Sequence, residues 1–145
     1  MWAANTFRGA IPENQWYDYT QLSRITGWGS FTNKNIMIQI TSGVMHVVFN
    51  LEGESNSVTT NFTLPIATRV EGNRYLNGAL FFPGRAINNF TITYARIQPL
   101  TNPNTGIGYD YTLVNCGYGV PGGVSGTWTA SGTKAVSSHF TMPII

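Results

Sequence analysis

Six carboxylates, two histidines and one cysteine make up most of the residues in this 145-residue chain that could do chemistry. The carboxylates are Glu13, Asp18, Glu52, Glu54, Glu71 and Asp110. A glycosidase needs two of them across a cleft, one with a raised pKa. Glu52 and Glu54 stand beside Gly53 at the end of a strand-like run, which reads as a solvated turn. Asn50, Glu52, Glu54 and Asn56 could ligate calcium, but the stretch lacks the acidic density of a dedicated loop. Cys116 has only His46 and His139 as bases by type, and it lies in an alternating run that buries a thiol and keeps it inert. The same three residues lack the short ligand spacings of a metal site. No serine sits in a G-x-S-x-G turn. No catalytic residue, metal or cofactor is expected.

Gly117 to Gly122 matches G-x-G-x-x-G literally. A dinucleotide site would open a helix there, yet Pro121 falls inside the pattern and the next segment reads as strand. A tight loop is the simpler reading. Asn61-Phe62-Thr63 and Asn89-Phe90-Thr91 fit the glycosylation pattern without a secretory signal to support it. Tyr109, Tyr111 and Tyr118 flank this region with Asp110 and Asn115. Aromatic platforms beside polar groups suit sugar rings. Tyr109, Asp110, Tyr111 and Tyr118 are therefore the candidate ligand or receptor surface, weighed against plain packing of the tyrosines on a sheet.

The elements that must carry these residues have a period of two. Ile36, Ile38 and Ile40 share one face, Ser42-Gly43 offers a hairpin turn, and Met45, Val47, Phe49 and Leu51 share a face of the returning run. Further strands are predicted over 58–64 (stopped by Pro65), 74–82 (stopped by Pro83-Gly84), 90–97 and 109–116. A second hairpin is predicted from 124–130 and 133–142 about Ser131-Gly132. Only 13–22 offers room for a short helical turn. Eighteen threonines and 16 glycines suit strands and turns. Phe49, Phe62, Phe90 and Trp128 are assigned to the core. The expected fold is all-β, an antiparallel, jelly-roll-like β-sandwich over 28–145, preceded by an irregular N-terminal arm over 1–27. Trp2, Phe7, Ile11 and Trp16 are the candidate anchors of that arm on a neighbouring subunit.

Composition narrows the function classes. The chain holds 19 aromatic but only 14 charged residues, 10% against roughly 25% in an ordinary domain. Net charge is +2 and the basic residues are scattered singly, so nucleic acid is not an expected partner. No apolar run approaches the length of a membrane helix and no signal peptide opens the chain, so no membrane partner is expected.

Several segments together resemble a β-rich domain found at the tips of bacteriophage tail fibres and related virion appendages. They are Gly43 to Ser57, Phe62-Thr63-Leu64-Pro65 at the expected distance, Gly27-Trp28 upstream, and Thr129 to Lys134 near the end. The likeness covers roughly residues 25 to 142 and consists of strand and turn signatures. It implies a non-enzymatic virion structural protein, assembled in the bacterial host cytoplasm, a homotrimeric knob that contacts other virion proteins and a host-surface glycan or protein. The chain departs by starting at its own Met1, by lacking a long shaft and by carrying the aromatic arm. Those departures suit a small component docked on a tail fibre, baseplate or head fibre, or a capsid decoration protein. A carbohydrate-binding module and a small hydrolase using Glu52 or Asp110 are the readings from other classes.

Overall fold

A computed structural model describes residues 11–66, 81–102, 111–119 and 126–144. They form nine strands: β1 (Tyr17–Asp18), β2 (Ile25–Thr26), β3 (Trp28–Thr41), β4 (Val44–Ser55), β5 (Asn61–Leu64), β6 (Phe82–Asn88), β7 (Thr91–Asn102), β8 (Tyr111–Tyr118) and β9 (Thr133–Pro143). No helix occurs among the described residues. All nine join one antiparallel sheet in the order β1-β3-β4-β9-β6-β7-β8-β5-β2. The sheet curls into a half-barrel. Phe49 of β4 and Phe62 of β5 are five places apart in the strand order, yet their rings meet at 4.7 Å.

The β3–β4 hairpin forms as its alternation dictates. Ile36, Ile38 and Ile40 stand opposite Phe49, Val47 and Met45, all on the buried face. Ser42 (φ 50°) and Gly43 (φ 77°) give the turn two positive φ values, which match the twist of the strands they join. β4 runs further than expected, to Ser55, so Glu52, Gly53 and Glu54 belong to a strand and not to a loop. Gly53 lies against the backbone of Ser30 and Phe31, where β3 bulges; a side chain there would collide with Ser30 O. The core continues through Phe140, which lies 6.3 Å from Phe49 and 5.2 Å from Phe82. Each such ring contributes roughly 1.5–3 kcal/mol by burial.

Four expectations need correction. Pro83-Gly84 does not end a strand but lies inside β6. Pro83 pairs with Arg96 of β7 and sits ahead of the β9 ladder, which starts at Arg85, so the missing N–H is tolerated. Residues 126–130 form no strand, so the second hairpin does not form among the described residues. β9 instead lies between β4 and β6, while Trp128 enters the core and Thr129 bonds to Asn88 Oδ1. Residues 13–22 hold β1 and a turn in which Leu22 and Ser23 N–H groups donate to Tyr19 O, with no helix. Phe90 is not core: it is 83% exposed, in the turn joining β6 and β7. The strand predicted over 74–82 falls mostly outside the described residues.

Residues 11–27 lie on this domain itself. Ile11 and Tyr19 are buried, β1 pairs with β3, and β2 pairs with β5. Thr20 fastens the segment: Ile36 N donates to its Oγ1 at 2.9 Å.

Candidate functional site

The inner face carries an unexpected charge. Lys134 of β9 is fully buried. Its Nζ donates to Ser57 O (2.7 Å), Thr60 Oγ1 (2.8 Å) and Gly27 O (3.1 Å). It lies 5.3 Å from the ring centre of Trp28 and 5.4 Å from that of Trp128. Gly27 (φ 128°) admits the ammonium, since a side chain there would crowd both Thr59 O and Nζ. Trp28 Nε1 donates back to Lys134 O at 3.0 Å, and Trp128 Nε1 donates to Cys116 O at 2.9 Å. Burial pulls the Lys134 pKa down from its ordinary 10.5 to about 8, against a smaller upward pull from Cys116. The Cys116 thiol is pushed well up by burial, with Lys134 opposing. With its three N–H donors engaged and no surface exposure, Lys134 ties together the β2–β3 link, the β4–β5 loop and β9; it has no route to a substrate.

The structure separates the residues that chemistry would have to bring together. Cys116 is buried on the inner face, while His46 and His139 stand on the outer face, opposite Thr141 and Val48. No group of three metal-ligating side chains occurs among the described residues. Glu52 and Glu54 both lie along β4, on an open face rather than across a cleft. Asp18 accepts a hydrogen bond from Thr20 N at 2.9 Å, and its bonds with Thr20 lower its pKa. That geometry serves the turn.

Of the candidate ligand surface, Tyr109 and Asp110 lie outside the described residues. Tyr111 and Tyr118 sit at opposite ends of β8, half-buried, about 20 Å apart along the strand. Arg24 stacks over Tyr111 at 5.4 Å, and Tyr118 packs on Trp128 at 5.1 Å. They do not form one platform. Tyr118 instead borders a groove of ≈ 360 Å³ with Thr59, Asn115, Thr127 and Trp128. Of the arm anchors, Trp2 and Phe7 lie outside the described residues, Ile11 is buried in this chain's own core, and Trp16 is 47% exposed.

The residues that sequence reasoning missed are on the outer face of β7. Ile92 and Tyr94 are 62% and 64% exposed, and with Phe90 of the preceding turn they form an apolar stripe; both pair with β6, and the β8 ladder begins at Ala95. The inward row is Ala95 and Ile97. Alternation sets Phe90, Ile92 and Tyr94 against Thr91, Thr93 and Ala95 and points the larger apolar row inward; the structure turns it outward. Tyr94 stands opposite Arg85, Arg85 opposite Ser137, and Ser137 opposite Asn50; Ile92 stands opposite Ile87. Arg85, Ile92, Thr93 and Tyr94 line a shallow groove of ≈ 470 Å³. A second groove, of ≈ 430 Å³, adjoins it at Arg85 and extends to Val48, Glu52 and His139. Phe90 (φ 69°) follows Asn89 (φ 48°) in a turn that favours glycine or asparagine. An aromatic residue held in that backbone and left bare is a costly arrangement for the fold alone.

No protein-family model, curated protein or solved structure matches the chain.

Proposed function

We propose that the protein is a non-enzymatic structural component of a bacteriophage virion, an oligomeric knob of a tail fibre, baseplate or head fibre that works by surface contact. The observation that carries the contact role is the Phe90-Ile92-Tyr94 stripe, large apolar side chains bared on an interior strand. The virion assignment draws on the sequence resemblance alone, and the homotrimer, the other virion proteins and a host-surface glycan or protein follow from it as partners. The finer fold we propose is a jelly-roll-like sandwich, supported by the approach of Phe49 to Phe62 across the curled sheet. Two measurements test the proposal. Light scattering should return three chains per particle; a monomer at high concentration refutes the oligomer. Mass spectrometry of purified phage particles should find the chain, and its absence refutes the virion role.

A carbohydrate-binding module is the second reading. The groove where Tyr118 and Trp128 meet Asn115, Thr59 and Thr127 supports it, combining aromatic surface with hydroxyl and amide groups. Glycan binding lost in Tyr118→Ala would favour this reading, and unchanged binding would remove the site.

A further inference from the structure

We infer that Phe90, Ile92 and Tyr94 form the contact between copies of this chain, the stripe of one copy lying against the same stripe of its neighbours about the symmetry axis. The inference rests on the oligomeric reading above and adds the surface that makes the oligomer.

Shape argues for a second copy over a small ligand. The stripe is on the outer side of a curled sheet, and Phe90 projects from the end of the β6–β7 hairpin with 83% of its surface bare. Small-molecule sites enclose most of what they bind, whereas the groove that Ile92 and Tyr94 line is shallow. On one side Thr91 to Ile97 pair with β6, and on the other Tyr94 O accepts from Gly119 N, so Tyr94 offers a partner its side chain and not a free edge. The contact is therefore made by side chains, face to face.

Area agrees. With an aromatic side chain worth about 150–250 Å², the bare parts of these three residues amount to about 400 Å². A stable interface takes about 800 Å² from each partner, of which about 56–65% is apolar. The stripe supplies most of that apolar share, and Val48, 38% exposed on the same outer face, extends it.

Chemistry supplies self-complementarity. Arg85 stands directly opposite Tyr94, and its guanidinium makes no hydrogen bond, ion pair or ring contact among the described residues. When the stripes meet about a threefold axis, each copy's Arg85 faces the Tyr94 ring of the next, and the contact closes round the axis. Tyrosine, phenylalanine and arginine are also the types enriched where binding energy concentrates.

The test uses the whole chain. Ile92→Cys is placed at the proposed axis; the native cysteine, Cys116, is buried and silent. Mild oxidation of Ile92→Cys should give disulfide-linked dimers on a non-reducing gel, whereas Val58→Cys, exposed elsewhere, should not. Ile92→Lys should reduce the mass in solution to that of a single chain while the far-ultraviolet circular dichroism stays that of the wild type. If the wild type is oligomeric but Ile92→Cys does not cross-link and Ile92→Lys keeps the wild-type mass, the inference is overturned, the oligomer stands, and this face belongs to a partner of another kind. A monomeric wild type overturns both.

Discussion

Replacing Lys134 with methionine removes the buried ammonium and its three hydrogen bonds, while Gly27 O still accepts from Asn56 N and Ser57 O from Ser55 Oγ, each at 3.2 Å. The third acceptor, the Thr60 hydroxyl, can turn to another partner. Losing a hydrogen bond whose acceptor keeps another donor costs about 1 kcal/mol, so the three cost about 3 kcal/mol together. The thioether retains contact with Trp28 and Trp128 and replaces part of the cation–π attraction. Against this loss stands the burial of the charge. A pKa drawn from 10.5 down to about 8 corresponds to on the order of 3 kcal/mol against the protonated form in the folded state. Below pH 8 both folded and unfolded chains carry the proton, and the wild type bears that penalty in full. Between pH 8 and 10.5 the unfolded chain binds more protons than the folded one, so wild-type stability rises with pH; above 10.5 the penalty is gone. Methionine does not titrate. Lys134→Met should therefore be close to neutral at pH 7 and cost about 3 kcal/mol near pH 10.5. Urea unfolding of both proteins, followed by far-ultraviolet circular dichroism at pH 7, 8.5 and 10, measures the gap directly. A gap that stays constant with pH, or one that narrows, refutes the account of this lysine as a buried, desolvated base.

Three further outcomes follow from the same geometry. Phe90→Gly should stabilise the folded chain by about 1 kcal/mol in denaturant, by relieving a positive φ, while weakening assembly in the mass measurement. Phe49→Ala should cost about 3–5 kcal/mol of unfolding free energy, since the ring sits between Phe62 and Phe140 with 2% exposure and the gap has no side chain to fill it. Cys116 should react with thiol reagents only at the rate of unfolding; burial raises its pKa and hides the sulfur, so fast labelling of the native protein would contradict the described packing.

Much of the sheet was legible in one dimension. The run from Asn35 to Leu51 announces a hairpin because strict alternation puts Ile36, Ile38 and Ile40 on one side, and Ser42-Gly43 tolerates the positive φ of the turn. Cys116 also reads as buried from the alternation of its strand. The candidate surface was much less legible. Tyr111 and Tyr118 are near in sequence, but eight residues of extended strand hold them at opposite ends of β8. The hairpin predicted about Ser131-Gly132 failed because local turn chemistry is satisfied with or without pairing, and β9 took β4 and β6 as neighbours instead.

Residue order alone determined that this is an all-β chain, through period-two alternation, threonine and glycine content, and turn residues that suit short connections. Only the tertiary structure decided which side of β7 faces inward. In β7 the row of larger apolar residues, Ile92 and Tyr94, stands against Thr91, Thr93 and Ala95 and reads as the inward one, yet the curl of the sheet buried Ala95 and Ile97 and left Ile92 and Tyr94 bare. Only the tertiary structure, too, could make Lys134 an interior residue. A lysine reads as surface from its type, and the groups that satisfy it, Gly27, Ser57 and Thr60, come from segments 107, 77 and 74 residues away along the chain. A buried charge depends on partners gathered in space, and one-dimensional order does not record where they gather.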